Sequence, residues 1–132
     1  MKNKKILIIL LILVFSVVIG AEAASIVPFA NRNIASTSIL LNTSMKATFS
    51  CSANANYNIS VQNIRLEVKN SNGTWSFVKN LSAPPSASNV SNYNKVMNYA
   101  SSCTSGKTYR ITATFNASGE TTSNTSAART YQ

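Results

Sequence analysis

The sequence lacks histidine and aspartate entirely, and its three acidic residues are glutamates at positions 22, 67 and 120. Without histidine or aspartate, the chain cannot form a Ser-His-Asp or Cys-His catalytic arrangement, a histidine-containing zinc site or an EF-hand loop. Glu67 and Glu120 lie in unrelated sequence contexts, so no carboxyl pair for acid–base catalysis is indicated. We therefore expect a protein that is not an enzyme, binds no metal and uses no cofactor.

The first residues have the layout of a secretory signal peptide. Three lysines among the first five residues precede an uncharged, apolar stretch at residues 6–19. Ala21-Glu22-Ala23 then supplies small residues at the two positions that a signal peptidase reads. The alternative, an uncleaved membrane anchor, needs roughly 20 apolar residues, and this run is shorter. We predict cleavage between Ala23 and Ala24, which leaves residues 24–132 as one secreted domain.

Positive charge exceeds negative charge in the predicted mature chain. Nine lysine or arginine residues and two glutamates follow residue 23, which gives a net charge of +7. The basic residues are scattered singly, so we expect neither a nucleic-acid partner nor a membrane-inserting segment. A diffuse positive field favours anionic partners such as cell-wall polymers or phospholipid surfaces, and it also keeps an exported domain soluble. Both interpretations stay open.

Apolar and polar residues alternate with a period of two in several segments, which is typical of strands with one buried face. Residues 45–51, 64–69 and 109–115 show this alternation, and weaker strands are predicted over residues 38–42, 95–99 and 126–131. No sustained 3.6-residue period occurs after residue 23, and the abundant asparagine, serine and threonine disfavour long helices. About seven short strands separated by turns predict an all-β domain, a sandwich of two antiparallel sheets.

Asn72-Gly73 is a strong signal for a tight hairpin, because both residues accept positive φ values. A two-residue turn there would place Val68 opposite Phe77 and Asn70 opposite Trp75. We expect Trp75 to lie in the core, like most aromatic residues of so small a domain. The stretch of residues 81–93, which contains two consecutive prolines, is predicted to be a connection with little regular pairing.

Three tyrosines are candidates for a binding surface. Tyr57, Tyr93 and Tyr131 fall in predicted loops or at the C-terminus. Aromatic rings in such positions can stack on sugars or on apolar patches of a ligand. The alternative is that these tyrosines are exposed and have no role.

Two cysteines, Cys51 and Cys103, lie far apart in the sequence. In an oxidising extracellular compartment, two such cysteines predict a structural disulfide. They lack the close spacing of a redox pair, and a zinc site would need further ligands that the chain does not offer. Two free, buried thiols are the alternative.

The segment from Cys103 to Tyr109, Cys-Thr-Ser-Gly-Lys-Thr-Tyr, resembles the Leu-x-Pro-Gly-x-x-Tyr corner of fibronectin type III domains. Here Cys103 stands in place of the leucine and Ser105 in place of the proline. The resemblance implies an immunoglobulin-like or fibronectin-like sandwich in which the Tyr109 hydroxyl bonds back to the backbone of the corner. It also implies that Cys103 points into the core, where a bridge to Cys51 would link the two sheets. The chain is also similar to small exported β-sandwich proteins of Gram-positive bacteria.

The sequence therefore predicts a secreted, non-catalytic β-sandwich that binds a partner at the cell surface. The expected partner is an anionic cell-wall polymer, a glycan or a surface protein, bound by loops on a rigid frame. A protein of another class, a secreted cationic antimicrobial or toxin-like protein that acts on anionic cell envelopes, is the alternative. It rests on the small size and the positive charge alone.

Overall fold

Residues 32–132 are described by the structure, a computed structural model, and apart from one 3₁₀ turn their regular elements are all β-strands. The predicted signal peptide and the Ala23–Ala24 cleavage site lie outside the described residues. The strands are β1 (Ile34–Leu41), β2 (Lys46–Lys69), β3 (Trp75–Asn80), β4 (Ala87–Asn98), β5 (Thr108–Ala117), β6 (Glu120–Thr125) and β7 (Arg129–Thr130). The 3₁₀ turn, Ala100–Ser102, follows β4.

The long strand β2 is the centre of the sheet, because four other strands pair with it. β1 and β4 flank its first half, and β5 and β3 flank its second half, all in antiparallel orientation. Ile59 is paired with both Ala87 of β4 and Ala117 of β5, so these two strands lie on opposite edges of β2. β6 and β7 continue the sheet beyond β5. All seven strands of the described residues thus belong to one hydrogen-bonded sheet.

This sheet is curled, so that distant strands meet. The pairing of β2 with β4 shifts register twice between Ser52 and Ile59, which is where β2 passes from its first set of neighbours to its second. At the far margin, the Asn124 side chain of β6 donates a hydrogen bond of 2.8 Å to the backbone carbonyl of Thr37 in β1. The curl therefore gives the sheet one inward face and one outward face.

A bulge in β2 changes which of its residues face inward. Between Gln62 and Arg65 the pairing with β5 shifts, and Asn63 has a φ of 52°. Asparagine tolerates this left-handed conformation better than most residues. Buried positions are odd-numbered up to Val61 and even-numbered from Ile64 onward. The bulge thus exchanges the inward and outward positions of the second half of β2.

The inward face carries the hydrophobic core. The Phe49 ring of β2 lies 6.4 Å from the Phe115 ring of β5 and 6.4 Å from the Tyr99 ring, measured between centroids. The Phe49–Tyr99 pair meets edge to face, a favourable arrangement for aromatic rings. The largest fully buried side chains are Phe49, Phe115, Met45, Ile59, Ile64, Leu66, Ile111 and Cys51. The first half of β2 therefore packs on β5 across the curl.

The β2–β3 hairpin has a different register from the expected one. Val68 is paired with Ser76 and Lys69 with Trp75, one position away from a two-residue turn. The loop is longer than a two-residue turn. The Gly73 amide donates a hydrogen bond of 3.0 Å to the carbonyl of Asn70, and Gly73 itself has a φ of 84°. A one-residue change of register exchanges the two faces of a strand. Trp75 consequently lies on the outward face, and its expected place in the core is wrong.

The all-β class and the strands at residues 64–69 and 109–115 are confirmed, and the strand predicted at residues 45–51 begins one residue later, at Lys46. The expected connection at residues 81–93 is shorter than predicted, because β4 begins at Ala87. The outward residues of β4 are polar, so the sequence does not predict the first part of this strand.

Candidate binding surface

Five side chains form a cluster on the outward face where β3, β2 and β5 lie side by side. The register places Phe77 of β3, Glu67 of β2 and Arg110 of β5 in one row across the sheet, with Trp75 and Arg65 beside them. We call these five residues the arginine–aromatic cluster. One cation–π contact joins Arg65 to Phe77. A second cation–π contact and an ion pair join Arg110 to Trp75 and to Glu67.

Arg110 is the fixed centre of this cluster. Its Nε donates a hydrogen bond of 2.7 Å to Glu67 Oε2, and its Cζ lies 4.4 Å from the centroid of the Trp75 ring. The side chains of Arg110 and Glu67 are 32% and 17% exposed. An ion pair with this much contact with water is worth at most about 1 kcal/mol, so its main effect is to hold the Trp75 ring in place.

Arg65 and Phe77 form the open part of the cluster. The Arg65 Cζ lies 5.0 Å from the centroid of the Phe77 ring, and Phe77 is 52% exposed although it is a large apolar residue. Among the described residues, no acidic side chain pairs with Arg65. Its planar fork of N–H donors therefore remains available to a carboxylate or phosphate. The pair offers an aromatic face and a cationic group side by side.

A row of hydroxyl groups continues the outward face away from the cluster. Thr112 and Thr125 approach each other to 3.1 Å between their Oγ1 atoms, and Thr114 Oγ1 lies 3.1 Å from Ser123 Oγ. These cross-strand pairs join β5 to β6 and leave hydroxyl groups at the surface. The outward face of this half of the sheet is thus polar next to the aromatic cluster.

The three tyrosines that are candidates for a binding surface do not lie together in the structure. Tyr93 is only 2% exposed, and its hydroxyl donates to the Pro85 carbonyl at 2.9 Å, so its expected exposure is wrong. Tyr57 and Tyr131 are partly buried against the core. Tyr57 is paired with Val90 of β4, whereas Tyr131 follows β7 near the start of β5, so the three rings do not share one surface.

Tyr93 and Tyr99 instead hold the connection between β3 and β4. The Tyr99 hydroxyl donates to the carbonyl of Ser82 at 2.7 Å, as the Tyr93 hydroxyl does to Pro85. Burial raises the pKa of Tyr93 and of Tyr99 to about 12, with smaller contributions from Cys51 and Tyr93 respectively. Burial disfavours the charged phenolate, so both hydroxyls remain donors over the neutral range.

Tyr109 makes the contact that the fibronectin-like corner implies. Its hydroxyl accepts a hydrogen bond of 2.8 Å from the backbone amide of Thr104, and its ring is buried. The hydroxyl thus ties the turn before β5 to the strand that the turn enters.

Both cysteines are free thiols in the structure, which departs from the expected disulfide. Cys51 lies within β2 opposite Tyr93, on the inward face of the sheet. Cys103 lies outside the sheet, directly after the 3₁₀ turn that follows β4.

Both thiols are disfavoured as nucleophiles. Burial raises the pKa of the Cys103 thiol to about 11. Burial, and then the charge of Glu120, raise the pKa of the Cys51 thiol. Since the thiolate is the reactive form, neither cysteine has the environment of a catalytic residue.

Other potential catalytic groups are also separated. Glu67 and Glu120 are paired with Arg110 and Ala117, at opposite ends of β5. Ser76-Phe77-Val78-Lys79 has the Ser-x-x-Lys spacing of some acyl-transfer enzymes. The Ser76 hydroxyl is bound by the Asn70 side chain at 2.8 Å, not by Lys79. In residues 32–132 no group of three potential metal ligands comes together.

No helix within residues 32–132 is long and apolar enough to span a membrane. Comparison of the chain with protein-family models, with curated proteins and with solved structures gives no match.

Proposed function

We propose that this protein is an exported, non-catalytic β-sandwich that binds an anionic glycan of the cell surface through the arginine–aromatic cluster. The observation that carries the proposal is the half-exposed Phe77 ring beside an Arg65 guanidinium that has no acidic partner. A sugar ring can stack on the free part of the aromatic face, and the guanidinium can bind a carboxylate or phosphate with two parallel hydrogen bonds.

The sandwich architecture in this proposal is immunoglobulin-like or fibronectin-like. Contact between Phe49 and Phe115 across the curl supports two packed layers, joined by the shared strand β2. The hydrogen bond from the Thr104 amide to Tyr109 supports the fibronectin-like corner. In such a frame the strands hold the outward residues rigidly, so little conformational entropy is lost when a ligand binds.

Charge complementarity favours an anionic partner. Arg65, Lys69 and Arg110 occupy outward positions of β2 and β5, and Glu67 is the acidic residue among them. This surface therefore carries an excess of positive charge, which attracts a polyanion and raises its rate of association.

The distribution of the remaining basic residues favours a local binding site over a membrane-active cationic face. Lys46 begins the first half of β2, Lys95 lies in β4, and Lys107 and Arg129 lie near the start of β5. The basic groups are thus spread over both halves of the curled sheet. The alternative function, an antimicrobial or toxin-like action on anionic envelopes, predicts leakage from anionic liposomes, and we expect none at micromolar protein.

Binding to immobilised glycans tests the proposal. The probes are a polyuronate and a poly(glycerol phosphate), with a neutral glucan for comparison. We expect Phe77→Ala and Arg65→Gln each to weaken binding to an anionic probe at least about tenfold, the equivalent of about 1.4 kcal/mol. Val96→Ala and Lys46→Gln are the matched controls, since both residues are exposed and lie on the other half of the sheet.

Two results would contradict the proposal. The absence of binding to both anionic probes would remove the ligand class. An equal loss with Lys46→Gln and Arg65→Gln would mean that net charge alone causes the binding.

A further inference from the structure

A polar concavity lies on the outward face where β4, β2 and β5 meet, in a different region from the arginine–aromatic cluster. Its volume is about 330 Å³. This value is at the lower end of the roughly 300–1,000 Å³ that is typical of small-molecule sites. Residues 58–60 of β2 form its middle, and β4 and the end of β5 form its two sides. The space suits one ring-sized ligand.

The lining is rich in hydrogen-bonding groups and contains no charged side chain. Four hydroxyls, those of Ser60, Ser86, Ser88 and Ser118, have no hydrogen-bond partner among the described residues. Asn58 and Asn116 use only their Oδ1 atoms, each of which accepts a backbone amide at 3.2 Å. Their NH₂ groups are therefore free to donate. Hydroxyls that donate and accept thus stand beside amide donors around one small volume.

The two sides of the concavity are tied to its middle through one residue. Asn58 accepts the Asn89 amide on its side chain at 3.2 Å and the Ser118 amide on its backbone carbonyl at 3.2 Å. Asn89 and Ser118 have φ values of 56° and 49°. For residues other than glycine, this backbone conformation costs free energy and persists only where surrounding contacts impose it. The concavity is therefore formed before any ligand arrives.

The geometry points to a binding site for a neutral polyhydroxylated ligand, a single sugar residue. Sugar hydroxyls both donate and accept, so they match the serine hydroxyls and the amide NH₂ groups around the concavity. A charged ligand would lose its hydration without gaining a countercharge, because no lining residue is charged. The site shares no residue with the arginine–aromatic cluster, so it is independent of the function proposed above.

The test is an NMR titration of the ¹⁵N-labelled protein with neutral monosaccharides, glucose and N-acetylglucosamine, up to about 50 mM. We expect saturable shifts of the backbone amides of residues 58–60, 86–88 and 116–118, with a dissociation constant in the millimolar range. The triple variant Ser60→Ala, Ser86→Ala, Ser88→Ala should weaken binding at least tenfold and keep the native spectrum elsewhere, because these hydroxyls make no hydrogen bond within the described protein. The matched control is Ser71→Ala, Ser101→Ala, Ser105→Ala, three exposed serines outside the concavity.

Three results would overturn the inference. They are no saturable shift with either sugar, shifts that the triple serine variant leaves unchanged, and shifts that appear only with a sugar acid such as glucuronate. The variants Phe77→Ala and Arg65→Gln should leave the monosaccharide shifts unchanged. Loss of anionic glycan binding in those variants is therefore distinguishable from loss of the neutral sugar site.

Discussion

Removing the hydroxyls of Tyr93 and Tyr99 should destabilise the protein at neutral pH, because each is the partner of a backbone carbonyl in the connection between β3 and β4. Tyr93→Phe and Tyr99→Phe leave the carbonyls of Pro85 and Ser82 without those donors. Both hydrogen bonds are part-buried, and the loss of one such bond costs about 1 kcal/mol of unfolding free energy. The hydroxyl of Tyr57 has no hydrogen-bond partner among residues 32–132, so Tyr57→Phe is the matched control and should cost less than about 0.5 kcal/mol.

The cost of each substitution should depend on pH, because the pKa of both tyrosines is raised from 10 to about 12. A raised pKa means that the folded protein keeps a proton that the unfolded chain has already lost. The stabilisation is therefore complete below pH 10 and is lost as the pH rises toward 12. At pH 11, linkage removes roughly 1.4 kcal/mol per tyrosine from the wild type. Phenylalanine cannot ionise, so each variant escapes that loss.

Urea unfolding at pH 7 and pH 11, followed by far-ultraviolet circular dichroism, measures the effect. We expect a gap in unfolding free energy of about 1 kcal/mol between the wild type and Tyr99→Phe at pH 7 and almost no gap at pH 11. Ionisation of the cysteines is common to both proteins and does not enter this difference. The reasoning is refuted if the gap at pH 11 equals the gap at pH 7, or if Tyr57→Phe costs as much as Tyr99→Phe.

Three further predictions follow from local geometry. Asn63→Gly should change the free energy of unfolding by less than about 0.5 kcal/mol. Asn63→Val should lower it by about 1–2 kcal/mol, because a β-branched residue is strained at positive φ. Equal stability of both variants in urea would exclude the bulge. Alkylation of the denatured protein without reductant should label Cys51 and Cys103 in mass spectrometry, and a mass lower by two hydrogens with no label would show a bridge instead. Tyr109→Phe should lower the thermal midpoint by an amount equivalent to about 1 kcal/mol, and an unchanged midpoint would mean that the corner hydroxyl contributes nothing.

The sequence predicts the core better than it predicts the surface, because burial leaves a periodic signal. In β5, the alternation from Tyr109 to Phe115 correctly identifies four of the five inward residues, and Ala117 is the fifth. The same signal fails at Tyr93, since asparagine and serine surround it and no apolar neighbour marks its strand. Its burial depends on the Pro85 carbonyl, a contact that only the folded connection between β3 and β4 creates.

The hairpin shows a second limit. Asn72-Gly73 gives the position of the turn, but a turn with Gly73 in the left-handed conformation can belong to a loop of two residues or of three. The difference of one residue decides whether Trp75 faces the core or the solvent. The hydrophobicity of Trp75 does not show which loop length is correct. An aromatic side chain fits a core, and it also fits an exposed face where an arginine lies above the ring.

The arginine–aromatic cluster therefore depends on two local irregularities and not on the hydrophobic pattern. Without the bulge at Asn63, the odd-numbered positions of β2 would continue to face inward, and Arg65 and Glu67 would be buried. Without the longer hairpin loop, Phe77 would stand opposite an inward residue and not opposite Glu67. Burial of Arg65 and Glu67 would cost several kcal/mol per charge. The bulge and the loop thus act together, because only their combination places the charged side chains of β2 and the aromatic side chains of β3 on one exposed face.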